Sequence, residues 1–402
     1  MFVNPAGEQV PGLPQRGRAA KKTGGCSIAI QNGLPLCYDA GGLLLLQFKA
    51  VFLNNSARLV KNNPKGLSEL MLIESIAPTR VDLAGGTVDI WPLYLFHENA
   101  CTVNFAIDQY ARCRIRTRRD RTIILKSIDG KKSARFNSLG ELKGDRVLPL
   151  LSRLIREFAP ETGLEMTTHC MAPAGSGLGG SSALNIAICG ALKALTRSTM
   201  SKSAIQSLAK NVEAQVIEVP TGEQDYFPPL YGGALCMRLT TRGIRVDRIR
   251  IDLEELGSHL VLCFTGEPRY SAINNWEMFK RHVNGDRSTF AKFETIVQSA
   301  VRMREALLAG NFEAISAALA DEWRHRKHLA PRITTPFMEK LTRIARQEGA
   351  TAAKVCGAGG GGCMVFATPP ERKRRVQRAL QGAGGRVIDF RIVRQGLKVK
   401  VS

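Results

Sequence analysis

The sequence predicts an α+β protein of two domains that meet at a cleft. Three observations carry that prediction. The chain has 402 residues, which is room for two or three packed domains. Strand-like and helix-like runs alternate in both halves of it. Each half also holds a glycine-dense segment set among those runs: "MAPAGSGLGGSSALNIAICGALKAL" at 171 to 195 and "KVCGAGGGGCMVF" at 354 to 366. An ordered glycine loses more backbone freedom than any other residue, so such loops need a reason. A common one is that their N–H groups close around an anion.

The elements follow in order. Residues 1–65 are basic, punctuated by Pro, Gly and Asn, and weakly periodic, so we expect a disordered extension there. The N-terminal domain is expected over 70–250. "SELMLIESIAPTRVDLAGG" reads as strand, turn, strand. "CTVNFAIDQYARCRIRTRRDRTIILKSI" alternates like a strand pair with a hairpin turn near Asp120. "VLPLLSRLIREF" puts Leu148, Leu151, Leu154, Ile155 and Phe158 on one helical face. "GLEMTTHCM" is a strand leading into the first glycine loop, and "SALNIAICGALKAL" is a helix apolar nearly all round, hence buried. A helix over "SAIQSLAKNVEAQVIE" and a strand over "YGGALCMRL" complete this half. The C-terminal domain is expected over 251–402. It holds a strand at "SHLVLCFTG", helices around 289–309, 311–327 and 336–348, and a closing run of strand, glycine loop, strand, helix, strand.

Composition narrows the function. Hydrophobic residues at 44% and charged residues at 23% are ordinary for a globular chain, and no apolar run has membrane-spanning length. The net charge of +22 favours acidic partners. A nucleic-acid binder would show a basic stripe with exposed aromatics, but aromatics are only 6% and the charge is spread along the chain, so no specific nucleic-acid partner and no membrane partner are expected. The ten cysteines show neither C-x-x-C nor zinc spacing, which reads as reduced thiols in a cytoplasmic protein.

The first glycine loop contains G-x-G-x-x-G at Gly175, Gly177 and Gly180. A dinucleotide site would want an acid about twenty residues on, and "TRSTMSKSAIQSLAK" has none. A Walker loop would want Lys before Ser/Thr. "GGSSA" is a near miss for the G-x-S-x-G of serine hydrolases, and the six histidines offer no partner pattern. A tight strand–helix turn with Ser181 as N-cap would explain one glycine and one serine, not the set. The remaining reading is a phosphate held by loop amides at a helix start, with serine hydroxyls on Mg²⁺ or on phosphate oxygens.

A third segment, "APTRVDLAGGTVDI" at 77 to 90, changes the odds. With the two glycine loops, in this order and spacing, it resembles the three motifs of the GHMP kinase superfamily, which includes galactokinase, homoserine kinase and mevalonate kinase. The resemblance runs from about Leu70 to the C-terminus. "NVEAQVIEVPTGEQDYFPPLYGGA" at 211 to 234 and "DEWRHRKHLAPRITTPFMEKL" at 321 to 341 look nearest to the sugar kinases, in particular the D-glycero-D-manno-heptose 7-phosphate kinase branch.

The resemblance implies a ribosomal protein S5 domain 2-like N-terminal domain, a ferredoxin-like C-terminal domain, and ATP and the phosphate acceptor between them. It implies Asp225 as catalytic aspartate and Arg80 as the basic residue beside it. Pro173, Gly175, Ser176, Gly177, Leu178, Gly179, Gly180, Ser181 and Ser182 would bind ATP. Gly357, Gly359, Gly360, Gly361 and Gly362 would form a second, supporting glycine loop. Glu213 and Ser181 would hold Mg²⁺, with Ser182 as an alternative. Asp89 aligns with the acid that binds sugar hydroxyls, although "GGTVD" stands where that branch reads Gly-Gly-Gly-Thr-Asp. Arg269, Arg324, Arg326 and Lys327 are candidates for an acceptor phosphate, but the basic run at 324–327 reads more simply as a solvated helix face, and Trp323 as core. The function implied is transfer of the γ-phosphate of MgATP to a hydroxyl of a sugar or sugar phosphate, by a monomer or homodimer. The alternatives are a catalytically silent ligand-binding relative, or a kinase for a non-sugar alcohol such as mevalonate.

Overall fold

The structure is a computed structural model that describes residues 70–266 and 271–402, and upstream one short hairpin, β1 (Ala29–Gln31) with β2 (Leu34–Leu36). The chain divides into two units, 1–64 and 65–402. The extension expected over 1–65 otherwise lies outside the described residues.

The first sheet grows from two long strands, β3 (Leu72–Ala84) and β4 (Cys101–Arg118). The strand–turn–strand expected at 68–86 is one strand. Pro78 does not turn the chain; the register to β4 shifts between Pro78 and Thr79, and such an irregularity absorbs a residue with no N–H to donate. β5 (Ile123–Ser127) and β6 (Lys132–Phe136) form a hairpin, but the hairpin expected between β4 and β5 is absent. β7 (Gly163–Cys170) lies between them, antiparallel to β4 and parallel to β5. Hydrophobic matching explains the insertion. Met166 sits in register with Ile115 on one side and Leu125 on the other, and all three are fully buried.

Three helices cover one face of this sheet: α1 (Pro149–Phe158), α2 (Gly180–Leu195) and α3 (Lys202–Ile217). α1 buries Leu151, Leu154 and Ile155, the expected face, and α2 is buried through Ile186, Ile188, Ala191 and Leu192. Ser201 caps α3 by accepting from the Ala204 amide. A short helix, α4 (Phe227–Tyr231), leads to the hairpin of β8 (Ala234–Thr240) and β9 (Gly243–Ile249), and β8 pairs with the first part of β4.

After α5 (Leu253–Ser258) the chain enters its second sheet at β10 (Leu260–Phe264). Four helices follow, α6 (Ser271–Val283), α7 (Arg287–Leu308), α8 (Phe312–Arg326) and α9 (Pro336–Gln347), then β11 (Ala352–Val355), β12 (Cys363–Ala367), α10 (Lys373–Gly382) and β13 (Arg386–Ile388). The sheet order is β11-β12-β10-β13, all antiparallel. That is a β-α-β-β-α-β path of ferredoxin-like type.

The last strand departs from the expected division. β14 (Lys398–Val401) returns to the first sheet and pairs along β3, covering what would be an open edge. The two halves share a core in which Val81, Leu83 and Phe105 pack with Ala300, Met303, Leu319 and Val365. Side chains alternate along a strand, so Arg80 and Asp82 fall on the opposite side of β3 from Val81 and Leu83. Among the described residues, no helix is long and apolar enough to cross a membrane.

Candidate active site

The two glycine loops and the end of β3 converge on one cavity of about 410 Å³. Its floor begins with Arg80, buried to 1% exposure. The Arg80 amide donates to Leu178 O at 2.9 Å, and its Nη1 donates to Gly177 O, so the first loop is fastened to β3. Its Nε and Nη2 both donate to Asp225 Oδ1, at 2.9 and 2.7 Å. Burial alone would lower the Arg80 pKa, but Asp225 and then Asp82 outweigh it and hold it above the ordinary value. Gly179, at φ +69°, is the N-cap of α2, and a Cβ there would come to 3.3 Å from Arg80 Cγ and 3.7 Å from Asp225 Cβ. The turn therefore needs glycine for its backbone as well as for space.

The serines do not cap α2. Ser181 Oγ donates to Glu213 Oε1, and Ser182 Oγ donates to Glu213 Oε2 at 3.0 Å. Asn185 Nδ2 at 3.0 Å and Tyr226 Oη at 2.7 Å complete the donors on this carboxylate from α3. Burial pushes the Glu213 carboxyl up, against the pull of its hydroxyl donors. Ser181 is exposed to the cavity and Ser182 is buried.

Asp225 lies on a short 3-10 turn, Gln224–Tyr226, with a quarter of its side chain exposed. That turn is held from two sides. Glu223 accepts from Gln206 Nε2 at 2.7 Å and from Lys210 of α3. Asp89 accepts the Gln224 amide on Oδ2 at 2.8 Å, and its carbonyl accepts the Glu223 amide at 3.3 Å. Burial above all, with Asp225, Asp82 and Glu223 nearby, raises the Asp89 carboxyl to about 7 against its backbone hydrogen bond.

The second loop reaches the cavity through Gly357 and Ala358 only. Its other glycines lie behind: Gly360 donates to Ile333 O at 2.8 Å, Gly362 O accepts the Thr265 amide at 3.0 Å, and Cys363 donates to Ser176 O at 2.6 Å. The loop thus backs the first one.

The structure therefore brings Arg80, Asp89, Asp225, Glu213, both serines and both loops together. Leu178 is buried beneath the loop and contributes its carbonyl. Arg269 lies outside the described residues. Arg324 and Lys327 fit the solvated-face expectation: Arg324 is 67% exposed and pairs with Asp321, and Lys327 approaches Glu339 at 3.9 Å. Arg326 overturns it. It is 1% exposed, lines the cavity and is enclosed by Asp82, Glu322, Thr87 and Gly357. Trp323 is core. Sequence reasoning also missed Thr87, Asn185, Gln206, Lys210, Glu322 and Lys354, polar groups whose only signal was an unremarkable residue in a predicted element.

Comparison with known proteins agrees with this geometry. Residues 146–233 match the GHMP kinases N terminal domain, and residues 303–386 match the GHMP kinases C terminal. The D-glycero-alpha-D-manno-heptose 7-phosphate kinase of Campylobacter jejuni is 29% identical over 335 residues, 81% of this chain and 98% of that protein. The mevalonate kinase of Pyrococcus horikoshii is 28% identical over 261 residues, 61% of this chain and 71% of its own. Among solved structures, a D-glycero-D-manno-heptose 1-phosphate kinase from Bacteroides thetaiotaomicron superposes with a TM-score of 0.67 at 26% identity, covering 82% of this chain and 98% of its own. The Lactococcus lactis galactokinase, at 17% identity and a TM-score of 0.68 over 81% of this chain and 95% of its own, shares the fold. With both models matched in order around one loop-lined cavity, the chain carries the N-terminal and C-terminal domains of GHMP kinases.

Proposed function

We propose that the protein transfers the γ-phosphoryl group of ATP to a hydroxyl of a sugar or sugar phosphate, with D-glycero-D-manno-heptose 7-phosphate as the first acceptor to test. The observation that carries this reading is the Arg80–Asp225 pair on the wall of a cavity lined by the first glycine loop. The end-to-end similarity to a heptose 7-phosphate kinase supports the acceptor class.

Phosphoryl transfer is mostly positioning and charge stabilisation. The amides of 175–180 would hold the phosphates at the start of α2. The acceptor hydroxyl would lie against Asp225 and be oriented by Asp89. As the acceptor oxygen bonds to the γ-phosphorus, its proton passes to the Asp225 carboxylate, and the bond to the β,γ-bridging oxygen breaks to release ADP. Arg80 would neutralise the charge growing on the transferred group. Mg²⁺ prefers a few hard oxygen ligands completed by phosphates and water. The Glu213 carboxylate and the Ser181 hydroxyl fit that preference and line the cavity, so we assign them to the ion, which when bound would neutralise phosphate oxygens. Both serines line the cavity, and we choose Ser181 over Ser182 because Ser181 is exposed and Ser182 buried. In this reading the two sheets mark the two domains, divided near residue 250 with β14 returning to the first. A cytoplasmic monomer or homodimer completes the reading.

The test is ADP release with MgATP against a panel of heptose 7-phosphate, other sugar phosphates, free hexoses, mevalonate and homoserine. We expect turnover on one sugar or sugar phosphate, falling about 10²–10⁴-fold in Asp225→Ala, the range for a lost general base. Turnover on mevalonate would move the acceptor class. Binding of MgATP with no turnover on any acceptor would favour a silent binder.

A further inference from the structure

Beneath the cavity lies a charge cluster that the proposed chemistry does not use. Asp82, Glu322 and Lys354 are fully buried and Arg326 is 1% exposed. Arg326 Nη1 donates to Asp82 Oδ2 at 3.1 Å and to Glu322 Oε1 at 2.9 Å. Lys354 Nζ lies 3.1 Å and 3.2 Å from the same two oxygens. Two acids and two bases make the cluster neutral. Burial works to raise the Asp82 carboxyl, but Lys354, Arg326 and Arg80 outweigh it and hold it below its ordinary value.

The other arm of the guanidinium leaves this cluster. Arg326 Nη2 donates to Thr87 Oγ1 at 2.9 Å and to Gly357 O at 2.7 Å. Thr87 lies in the loop that carries Asp89, and Gly357 opens the second glycine loop. One nitrogen therefore joins the acceptor side of the cavity to its donor side. Thr87 is β-branched yet sits at φ +79°, a conformation that persists only where its surroundings hold it. Its neighbour Gly86 leaves no room for a side chain: a Cβ would lie 2.5 Å from Asp82 Oδ2 and 2.8 Å from Arg326 Nη1.

We propose that Arg326 is a positioning residue that couples the two halves of the transfer site, fixing loop 85–90 relative to loop 357–362 through its single bridging nitrogen. The proposal rests on the reading of this cavity as the nucleotide and acceptor site. The neutral cluster is the mount: it holds the guanidinium plane so that both Nη2 contacts form together. Lysine in its place would carry the charge but not the planar fork.

Hydrogen exchange of the full chain, with and without MgAMPPNP, tests this and needs no knowledge of the acceptor. In the wild type we expect nucleotide to slow exchange in peptides covering 173–183 and 354–363, and through Arg326 in the peptide covering 84–91. Removing one charge alone risks misfolding, so the variant combines Glu322→Met with Arg326→Met, leaving Asp82 and Lys354 as a balanced pair. A thermal melt establishes that it folds. We expect its protection at 173–183 to remain while the effect at 84–91 falls from roughly 5–150-fold, the usual span of a coupling free energy, to within about twofold. Arg326→Lys should fail to restore it. If the wild type shows no nucleotide effect at 84–91, or the folded double variant and Arg326→Lys keep it, the proposal is overturned. If MgAMPPNP protects nothing at 173–183 in the wild type, the nucleotide reading itself fails, and the positioning role with it.

Discussion

Two arginines line the same cavity at the same 1% exposure and both feel Asp82, but their hydrogen-bond partners differ entirely. Arg80 spends two donors on one oxygen of one carboxylate, and that carboxylate, Asp225, has a quarter of its side chain open to the cavity. Arg326 spreads four bonds over two sealed acids, a hydroxyl and a carbonyl. A partly solvated acid can take a proton and lose it again to water. A sealed, charge-balanced acid cannot do so without leaving its partners unpaired. The first arrangement suits chemistry and the second suits fixed geometry, although by residue type and burial the two arginines are alike.

The largest expected effect breaks the sealed arrangement. Lys354→Met leaves Asp82 and Glu322 sharing Arg326 as their one ion-paired cation, and stripping one partner from a buried ion cluster costs about 3–5 kcal/mol of stability. Adding Glu322→Gln should recover most of that loss in urea denaturation. If Lys354→Met unfolds at the wild-type midpoint, the cluster is not the mount described above.

The next effect comes from Asp89, the acid beside the open pair. Its carboxyl is raised to about 7 in the folded chain from an ordinary 3.8, so its charged form is disfavoured on folding. Its stabilising contribution is fully present below about pH 4 and is lost as pH rises through 7, a swing on the order of 4 kcal/mol. Asp89→Asn removes the titration but keeps an oxygen for the Gln224 amide. Measured from pH 4 to 8, the wild type should lose stability relative to this variant. Parallel profiles would show that the carboxyl is not raised.

The smallest effect sharpens the contrast from the open side. Arg80→Lys keeps a cation beside Asp225 and loses the fork, so kcat should fall about 10–100-fold, part of what a positioned charge contributes to a transition state. Stability should change far less than in Lys354→Met, because Asp225 keeps water access. A folded Arg80→Lys variant with wild-type kcat would remove Arg80 from the chemistry.

Several parts of this contrast were readable in advance. The two glycine loops stood out as local motifs, whereas the Asp in "TGEQDY", the Arg in "PTRVDL" and the Glu of α3 were singled out only through the resemblance to the GHMP kinases. The apolar face of α1 and the all-round apolarity of α2 likewise placed those helices against a core. Arg326 was different. In "WRHRKH" it looks like its neighbours Arg324 and Lys327, and only the packing of α8 against β11 and the end of β3 turns it inward while Arg324 stays in solvent.

By itself the sequence determined which local conformations were available: periodicity for helices and strands, glycine where backbone must turn or approach closely, and the residue types that phosphoryl transfer requires. Tertiary structure alone decided the long-range matters. It inserted β7 between β4 and β5, carried β14 back to β3, and set Lys354 against Asp82 across 272 positions of chain. Such choices depend on which surfaces can be buried together and which charges can be balanced once they are. Those quantities exist only between segments, and no single stretch of sequence carries them.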